Sequence, residues 1–136
     1  MYSTKLSVSI HILSVIALTE VKPVTSEYIA SSINTNPVLV RRLMSRLKNA
    51  KLIETSTKLG VTGLSRKEED ITLLDILLAV EDHPQMFGIH DNTNQQCPVG
   101  ANIEETLKHV YGNIQQSIEK ELSAITLAEI TKEFIP

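Results

Sequence analysis

The stretch NTNPVLVRRLMSRLKNAKLIET, residues 34–55, decides the fold of this chain. Its apolar residues recur at the spacing of one helix face, at Val40, Leu43, Met44, Leu47 and Ala50. The other side of that helix carries four cations, Arg41, Arg42, Arg46 and Lys48. A helix that is half apolar and half basic suits a solvated core helix, a membrane-surface helix or a helix that lies on nucleic acid. The neighbouring sequence has to distinguish between these three interpretations.

The residues before the basic helix predict two more helices. Asn36 is a good N-cap and Pro37 suits the first helical position, so the basic helix begins there and runs to about residue 51. The segment VTSEYIASSIN, residues 24–34, predicts a short helix with Thr25 or Ser26 as its cap. The apolar spacing of residues 5–20 predicts a first helix, which ends before Pro23.

A hairpin is predicted directly after the basic helix. Residues 52–57 have the composition of a strand, and Gly60 and Gly63 mark a loop. The polar segment LSRKEEDIT, residues 64–72, is predicted as a short second strand, and residues 73–82 as a fourth helix. Three helices followed by a hairpin is the order of a winged helix-turn-helix domain, a mainly α fold with a small β-hairpin wing.

A long amphipathic helix is predicted from residue 101. Its apolar positions form a sustained stripe, at Ile103, Leu107, Val110, Ile114, Ile118 and Leu122. A small winged helix has too little surface to cover such a stripe, so we predict that a second copy covers it in a homodimer. The alternative is packing of the stripe over the first helix. A short last helix is predicted over residues 127–134.

These elements predict three segments along the chain. Residues 1–83 form the winged helix-turn-helix domain, residues 84–100 a loop that carries the single cysteine, and residues 101–136 the dimerisation helix and the last helix.

The composition is that of an ordinary globular chain, with 136 residues of which 42% are hydrophobic and 21% charged. A single cysteine excludes an internal disulfide and suits a reducing compartment. No apolar run is long enough to cross a bilayer, and serines interrupt the apolar N-terminus, so we expect a cytoplasmic protein without membrane contact. No catalytic motif is present, so an enzyme is not expected.

Charge is distributed unevenly along the chain. The net charge is −3, but residues 36–67 hold eight cations against Glu54 alone, which gives +7, while the rest carries −10. A phosphate-binding surface needs such a local field, and net charge is a poor guide to it. We therefore predict double-stranded DNA as the partner. The alternative, a basic face that only balances acidic faces, stays open.

The helix-turn-helix assigns the candidate DNA contacts, because the N-terminal residues of its second helix reach base edges. The residues expected in the major groove are Thr35, Asn36, Val38, Arg41 and Arg42. The residues expected at phosphates are Lys5, Thr25, Ser26, Arg46 and Lys48. The wing is expected to bring Lys58, Arg66 and Lys67 to the backbone or the minor groove. For each arginine taken singly, the alternative is an ordinary solvated charge.

Cys97 precedes the long helix, and a helix N-terminus lowers the pKa of a thiol. A redox-sensing role is therefore one interpretation, and a structural thiol is the other. His83, His90 and Cys97 match no close metal-ligand spacing, so no metal or other cofactor is predicted. His11 lies in an apolar helix and is predicted to be a satisfied core histidine. The sequence names no small-molecule effector.

Four segments, in order and at the right spacing, resemble the Rrf2 family of bacterial winged-helix regulators, the family of IscR, NsrR and CymR. They are SVSIHILSVIAL, TSEYIASSINTNPVLVRRLMSRLKNAKLI, DITLLDILLAVE and CPVGANIEETL, and they extend over nearly the whole chain. The last, with TNPVLVRRL, is most similar to the subgroup typified by YwnA. The resemblance implies a homodimeric transcriptional regulator, usually a repressor, that dimerises through the long helix. It also implies a base-reading side chain at Arg41.

The chain departs from that family at two places. Cluster-binding members carry three cysteines and a further ligand before the long helix, whereas this chain has only Cys97, so no iron–sulfur cluster is expected. Family wings commonly begin with Arg-Gly and carry a paired-glycine-tyrosine core. This wing reads STKLGVTGLS, with Thr57 near the expected arginine and Lys58 as a partial replacement. The expected function is a DNA-binding repressor, and the alternative is a protein-interaction module that has lost DNA binding.

Overall fold

The second and third helices begin at residues whose side chains accept hydrogen bonds from free backbone N–H groups. The computed structural model describes residues 2–56 and 60–135. Its helices are α1 (Lys5–Leu18), α2 (Ser26–Ile33), α3 (Pro37–Asn49), α4 (Leu73–Val80), α5 (Ile103–Ser123) and α6 (Leu127–Thr131), with 3₁₀ turns at Glu68–Asp70 and Lys132–Phe134. Thr25 Oγ1 accepts from Tyr28 N–H at 3.1 Å, and Asn36 Oδ1 accepts from Val38 N–H at 2.8 Å. Asn36 therefore caps α3 as predicted.

A tight turn joins α2 to α3. Asn34 adopts the left-handed conformation with φ 61°, which asparagine tolerates better than most residues. Thr35 N–H then donates to Ala30 O at 3.1 Å, which closes the end of α2. Together these contacts set the two helices as a helix-turn-helix.

The hairpin follows α3, but the prediction of its second strand was wrong. β1 (Ile53–Ser56) pairs antiparallel with β2 (Gly60–Leu64), the glycine-containing segment that was expected to be a loop. Residues 65–70 are all polar and have nothing apolar to bury, whereas Val61 in β2 is fully buried. Burial of Val61 favours the pairing observed, and Arg66 and Lys67 consequently lie beyond the strands.

Val24 pairs with this hairpin through a single antiparallel bridge to Val61. Val24 N–H donates to Val61 O at 2.8 Å, and Val61 N–H donates to Val24 O at 2.9 Å. Gly60 begins β2 with a φ of +106°, and a Cβ there would lie 2.6 Å from Val24 O. Glycine alone fits both this dihedral angle and this close approach. The wing is thereby fixed to the segment that leads into α2.

The predicted apolar face of α3 forms part of the core. Val40, Leu43 and Leu47 are at most 1% exposed, and Met44 is 9% exposed. They pack in the same cluster as the buried residues of α1 and α4. The apolar residues that the periodicity of residues 34–55 indicates are therefore those that pack α3 against the rest of the domain.

The C-terminal α6 completes that same core. Leu127 is fully buried among the residues of the winged helix. Two backbone hydrogen bonds hold it there, since Leu73 N–H donates to Ile125 O at 2.9 Å and Leu127 N–H donates to Ile71 O at 2.8 Å. Residues 125–127 thus pack against the winged-helix core.

His11 is exposed, so the prediction of a core histidine was wrong. Its neighbours Ile12 and Leu13 face the core, which turns His11 outward on α1. Its Nε2 lies 2.9 Å from Ser32 Oγ on α2, so the ring has a hydrogen-bond partner at the surface.

Candidate nucleic-acid interface

The N-terminal end of α3 presents the residues predicted to meet base edges. Val38 is 52% exposed, Arg42 is exposed and Thr35 is partly buried. Asn36 is exposed and uses its side-chain oxygen as the helix cap. An apolar contact, an amide and guanidinium groups therefore lie within the first two turns of one helix.

Arg41 is held against the start of α2. Its Nη1 lies 3.5 Å from Glu27 Oε1 and 3.5 Å from Ser26 Oγ. The side chains of Arg41 and Glu27 are 53% and 70% exposed, so water screens the pair and the guanidinium can exchange partners. The sequence analysis missed Glu27, although its place in the first turn of α2 marks it as a neighbour of the predicted phosphate contacts.

The start of α2 and the start of α3 form one surface, which we call the α2–α3 surface. It consists of Thr25, Ser26, Thr35, Asn36, Val38, Arg41 and Arg42. The contact of Arg41 with Ser26 joins its two parts. Because the N-terminal N–H groups of α2 carry partial positive charge, this surface offers donors to phosphate beside donors to bases.

Arg46 and Lys5 both contact an acid within the chain. Arg46 Nε donates to Ala79 O at 3.1 Å, and its Nη1 pairs with Asp82 Oδ1 at 2.6 Å. Lys5 Nζ lies 3.8 Å from Asp82 Oδ2. The hydrogen bond and charge of Arg46 lower the pKa of Asp82 below its ordinary value. A phosphate contact from either cation would therefore compete with Asp82, while Lys48 is exposed on α3.

The cations predicted on the wing lie in different places. Lys58 falls outside the described residues. Lys67 is exposed beyond β2. Arg66 Nη1 lies 3.3 Å from Asp75 Oδ2, the oxygen that also accepts from Thr72 N–H at the start of α4. Arg66 therefore shares the carboxylate that caps α4.

Cys97 lies in a tight turn before α5. Its thiol accepts hydrogen bonds from the backbone N–H groups of Gly100 and Val99, and these lower its pKa. Ala101 N–H donates to Cys97 O at 2.8 Å and closes the turn. The pKa of Cys97 is lowered, as the sequence predicts. The cause is this pair of nearby N–H groups and not the N-terminus of α5, since α5 begins only at Ile103.

The apolar stripe of α5 is incompletely covered within one chain. None of the residues of α5 is buried, and Val110 and Ile114 are 43% and 39% exposed. The remaining stripe residues are partly buried, at Ile103, Leu107, Ile118 and Leu122. Of these, Leu122 packs against the core.

A glutamine anchors the middle of α5 to its own domain. Gln115 Nε2 donates to Pro84 O at 2.8 Å and to Tyr2 Oη at 2.7 Å. Its Oε1 accepts from Met86 N–H at 2.9 Å. Phe87 also stacks on Tyr111 with ring centroids 4.9 Å apart. The loop before Cys97 thus packs along one side of α5.

The described residues contain no ready metal site. Within residues 2–56 and 60–135, His, Cys, Asp and Glu side chains nowhere gather in groups of three that could hold a metal ion. In the same ranges, every helix is too short or too polar to cross a membrane.

Comparison with known proteins places the whole chain beside transcriptional regulators. The Rrf2 family, described as an iron-dependent transcriptional regulator, matches residues 2–133. YwnA of Bacillus subtilis strain 168, named as an HTH-type transcriptional regulator, is 40% identical over 132 residues, which are 96% of either chain. The family description mentions iron, but the described residues offer only Cys97 without companion ligands, so they do not fit an iron or cluster site.

Solved structures share the fold. A structure described as a DNA-binding protein superposes with a TM-score of 0.76 at 36% identity, over 93% of this chain and 97% of that one. The global cysteine regulator CymR of B. subtilis superposes with a TM-score of 0.72, over 97% of this chain and 96% of that one. Its identity of 20% supports likeness of fold alone.

Proposed function

This chain belongs to the Rrf2 family of DNA-binding transcriptional regulators, and on that premise we propose that it is a homodimeric repressor. It is not an enzyme. The observation that supports the proposal most directly is the α2–α3 surface, where exposed Arg41 and Arg42 stand beside the start of α2. Since transcriptional regulators of this family act on DNA, we expect it to work in the cytoplasm.

Base reading is assigned to the start of α3. Arg41 and Arg42 supply forked donors that match the O6 and N7 acceptors of guanine, and exposed Val38 suits a thymine methyl. Thr35 and Asn36 complete this set. In the free protein Glu27 holds Arg41, and on DNA the guanidinium would leave that carboxylate for a base.

Phosphate contacts are assigned to the residues that surround α3. Thr25 and Ser26 offer the N-terminus of α2, and Lys48 an exposed ammonium. Lys5 and Arg46 contribute where a phosphate displaces Asp82. Lys58, Arg66 and Lys67 are assigned to the DNA backbone near the wing, with Arg66 held by Asp75 in the free protein.

DNA binding tests this assignment directly. Genomic footprinting first identifies the bound sites, and binding to one of them is then measured over a range of salt. The double variant Arg41→Ala, Arg42→Ala should lose about 1–3 kcal/mol for each bidentate base contact removed. It should also discriminate less between the site and an altered site.

A matched control removes the same charge elsewhere. Lys120→Ala with Lys132→Ala deletes two cations at the C-terminal end of the chain, away from α3. It should bind as the native protein does. Equal loss in both double variants, or no loss in the first, would remove the α2–α3 surface from DNA recognition.

The dimer is assigned to α5. Its half-exposed Val110 and Ile114 give an apolar stripe that one chain leaves uncovered. A second copy related by two-fold symmetry would cover it and would place two copies of α3 for two half-sites.

Redox control is assigned to Cys97. Its lowered pKa raises the fraction of reactive thiolate, and the side chain is partly exposed. Attack of the thiolate on hydrogen peroxide would form a sulfenic acid and release hydroxide, and the added oxygen would enlarge and polarise the turn before α5. We propose that this change reaches α3 through the loop that Gln115 holds, and that it releases DNA.

A further inference from the structure

A half-open cavity of about 600 Å³ lies between α1 and α2, with Phe134 of the last 3₁₀ turn also in its lining, on a face that the proposed DNA contacts leave unused. Ser7, His11, Ser14 and Leu18 line it from α1, at spacings of four, three and four residues. Serine is small, so this stripe of α1 leaves a hollow where larger side chains would have filled the space. The spacing therefore explains why the two helices leave a half-open cavity at this place.

The lining of this α1–α2 cavity is mainly apolar, with one polar pair. Ile10, Val15 and Leu18 supply apolar surface, and His11 Nε2 lies 2.9 Å from Ser32 Oγ. The lining residues include no Lys, Arg, Asp or Glu. A cationic ligand would therefore lose hydration without gaining an opposite charge, and only the His11 ring could offer one to an anion. A neutral ligand needs no such partner and would bury apolar surface.

We propose that the α1–α2 cavity binds a neutral, largely apolar small molecule with one hydrogen-bonding group. The volume suits a molecule of drug size, and a few polar groups in an apolar lining are typical of small-molecule sites. The polar group of the ligand bonds to the His11–Ser32 pair, and its body fills the space between Val15 and Tyr28.

The cavity is linked to the α2–α3 surface through a single short helix. Tyr28 and Ser32 line the cavity from α2, and Ser26 and Glu27 at the start of the same helix hold Arg41. A ligand in the cavity contacts the same helix that carries these two residues, so any shift of α2 on binding moves the groups that hold Arg41. This consequence for DNA rests on the proposed function, whereas ligand binding itself does not.

The probe for the test is N-phenyl-1-naphthylamine, a neutral fluorophore with an apolar body and one N–H group. Its emission rises in apolar surroundings, so titration into the full-length protein reports binding without DNA. The native protein should bind it saturably with one probe per chain. Ser32→Phe places a ring in the cavity and should weaken binding roughly tenfold or more.

Ser31→Phe is the matched control, because it makes the same change one position away on α2. Ser31 Oγ donates to Tyr28 O, and its side chain does not line the cavity. This variant should bind the probe as the native protein does. Ser7→Phe fills the cavity from α1 and serves as a second blocking variant, with circular dichroism to verify the fold of all three.

Four results would overturn the site. They are the absence of saturable binding, equal loss of probe in Ser31→Phe, unchanged binding in both Ser32→Phe and Ser7→Phe, and loss of the dimer in Ser32→Phe, which would identify the cavity as a contact between copies.

The link to DNA has its own readout. Saturating probe should change DNA affinity of the native protein but not of Ser32→Phe, and no change would overturn the link alone. Failure of the native protein to bind DNA would instead count against the proposed function.

Discussion

At the scale of single residues, three cations that are predicted to contact DNA each pair with a carboxylate of the same chain. Arg41 meets Glu27, Arg46 meets Asp82, and Arg66 meets Asp75. Every one of these six side chains keeps a third or more of its surface exposed. Such pairs are weak in water, so they can align the cations in free protein and still yield them to phosphate or base.

The thiol of Cys97 should react faster than an ordinary thiol at neutral pH. The N–H groups of Gly100 and Val99 stabilise the thiolate, which lowers the pKa. Gly100→Ala should slow alkylation by iodoacetamide, because its Cβ would lie 2.2 Å from Asn94 O and displace the Gly100 N–H. The pH profile of alkylation should shift upward. Gly112→Ala on α5, where nothing lies within 4 Å, should leave the profile unchanged.

Oxidant then tests the role of that thiol in DNA release. Peroxide should release DNA from the native protein and leave Cys97→Ser bound. Equal release from both proteins would remove Cys97 from the response.

The pKa of Asp82 predicts a pH-dependent contribution to stability. Arg46 lowers the pKa in the folded chain, so the pair stabilises the fold above the unfolded pKa of 3.8 and loses this effect as pH falls through the lower folded pKa. Asp82→Asn should therefore lower the thermal midpoint at neutral pH and converge with native protein in acid. Asp91→Asn, at another exposed acid, is the control. A difference that stays constant from neutral to acidic pH would contradict the pairing.

At the scale of elements, α5 is the helix with an unsatisfied apolar face. Ile114→Glu places a carboxylate in the centre of the stripe, where burial against a partner would be costly. Sedimentation should therefore show one chain per particle instead of two. Gln116→Glu adds the same charge on an exposed position about 200° around the helix and should stay dimeric. A monomeric native protein would contradict the proposed dimer.

The sequence predicts the helices of this fold better than its hairpin. Helix starts depend on nearby residues, and Thr25 and Asn36 cap where their local sequence indicates. The position of β2 depends on pairing between Val61 and Val24, which are 37 residues apart, so the local polarity of residues 64–72 misplaced it. Partners such as Glu27 for Arg41 depend on how helices pack, and spacing along the chain does not give them.

At the scale of the whole molecule, the winged helix depends on the end of the chain. Leu127 fills the common core, so Leu127→Ala should lower the free energy of unfolding by about 2–5 kcal/mol. Ile135→Ala removes an exposed side chain nearby in sequence and should change it by less than about 0.5 kcal/mol. Urea unfolding measures both. Equal, small effects would show that the first 83 residues fold without α6.

The two attachments of α5, at Gln115 in its middle and at Ile125 just beyond its end, bear on the arrangement of the operator. In the proposed dimer, α5 is fixed to its own domain at both places and connects the two domains rigidly. The protein therefore sets the distance between the two copies of α3. One added base pair moves a half-site about 3.4 Å along the duplex and turns it by about a tenth of a helical turn. The rigidly connected domains cannot follow that shift. We therefore expect DNA binding to depend on the length of the spacer between half-sites as well as on their base sequence.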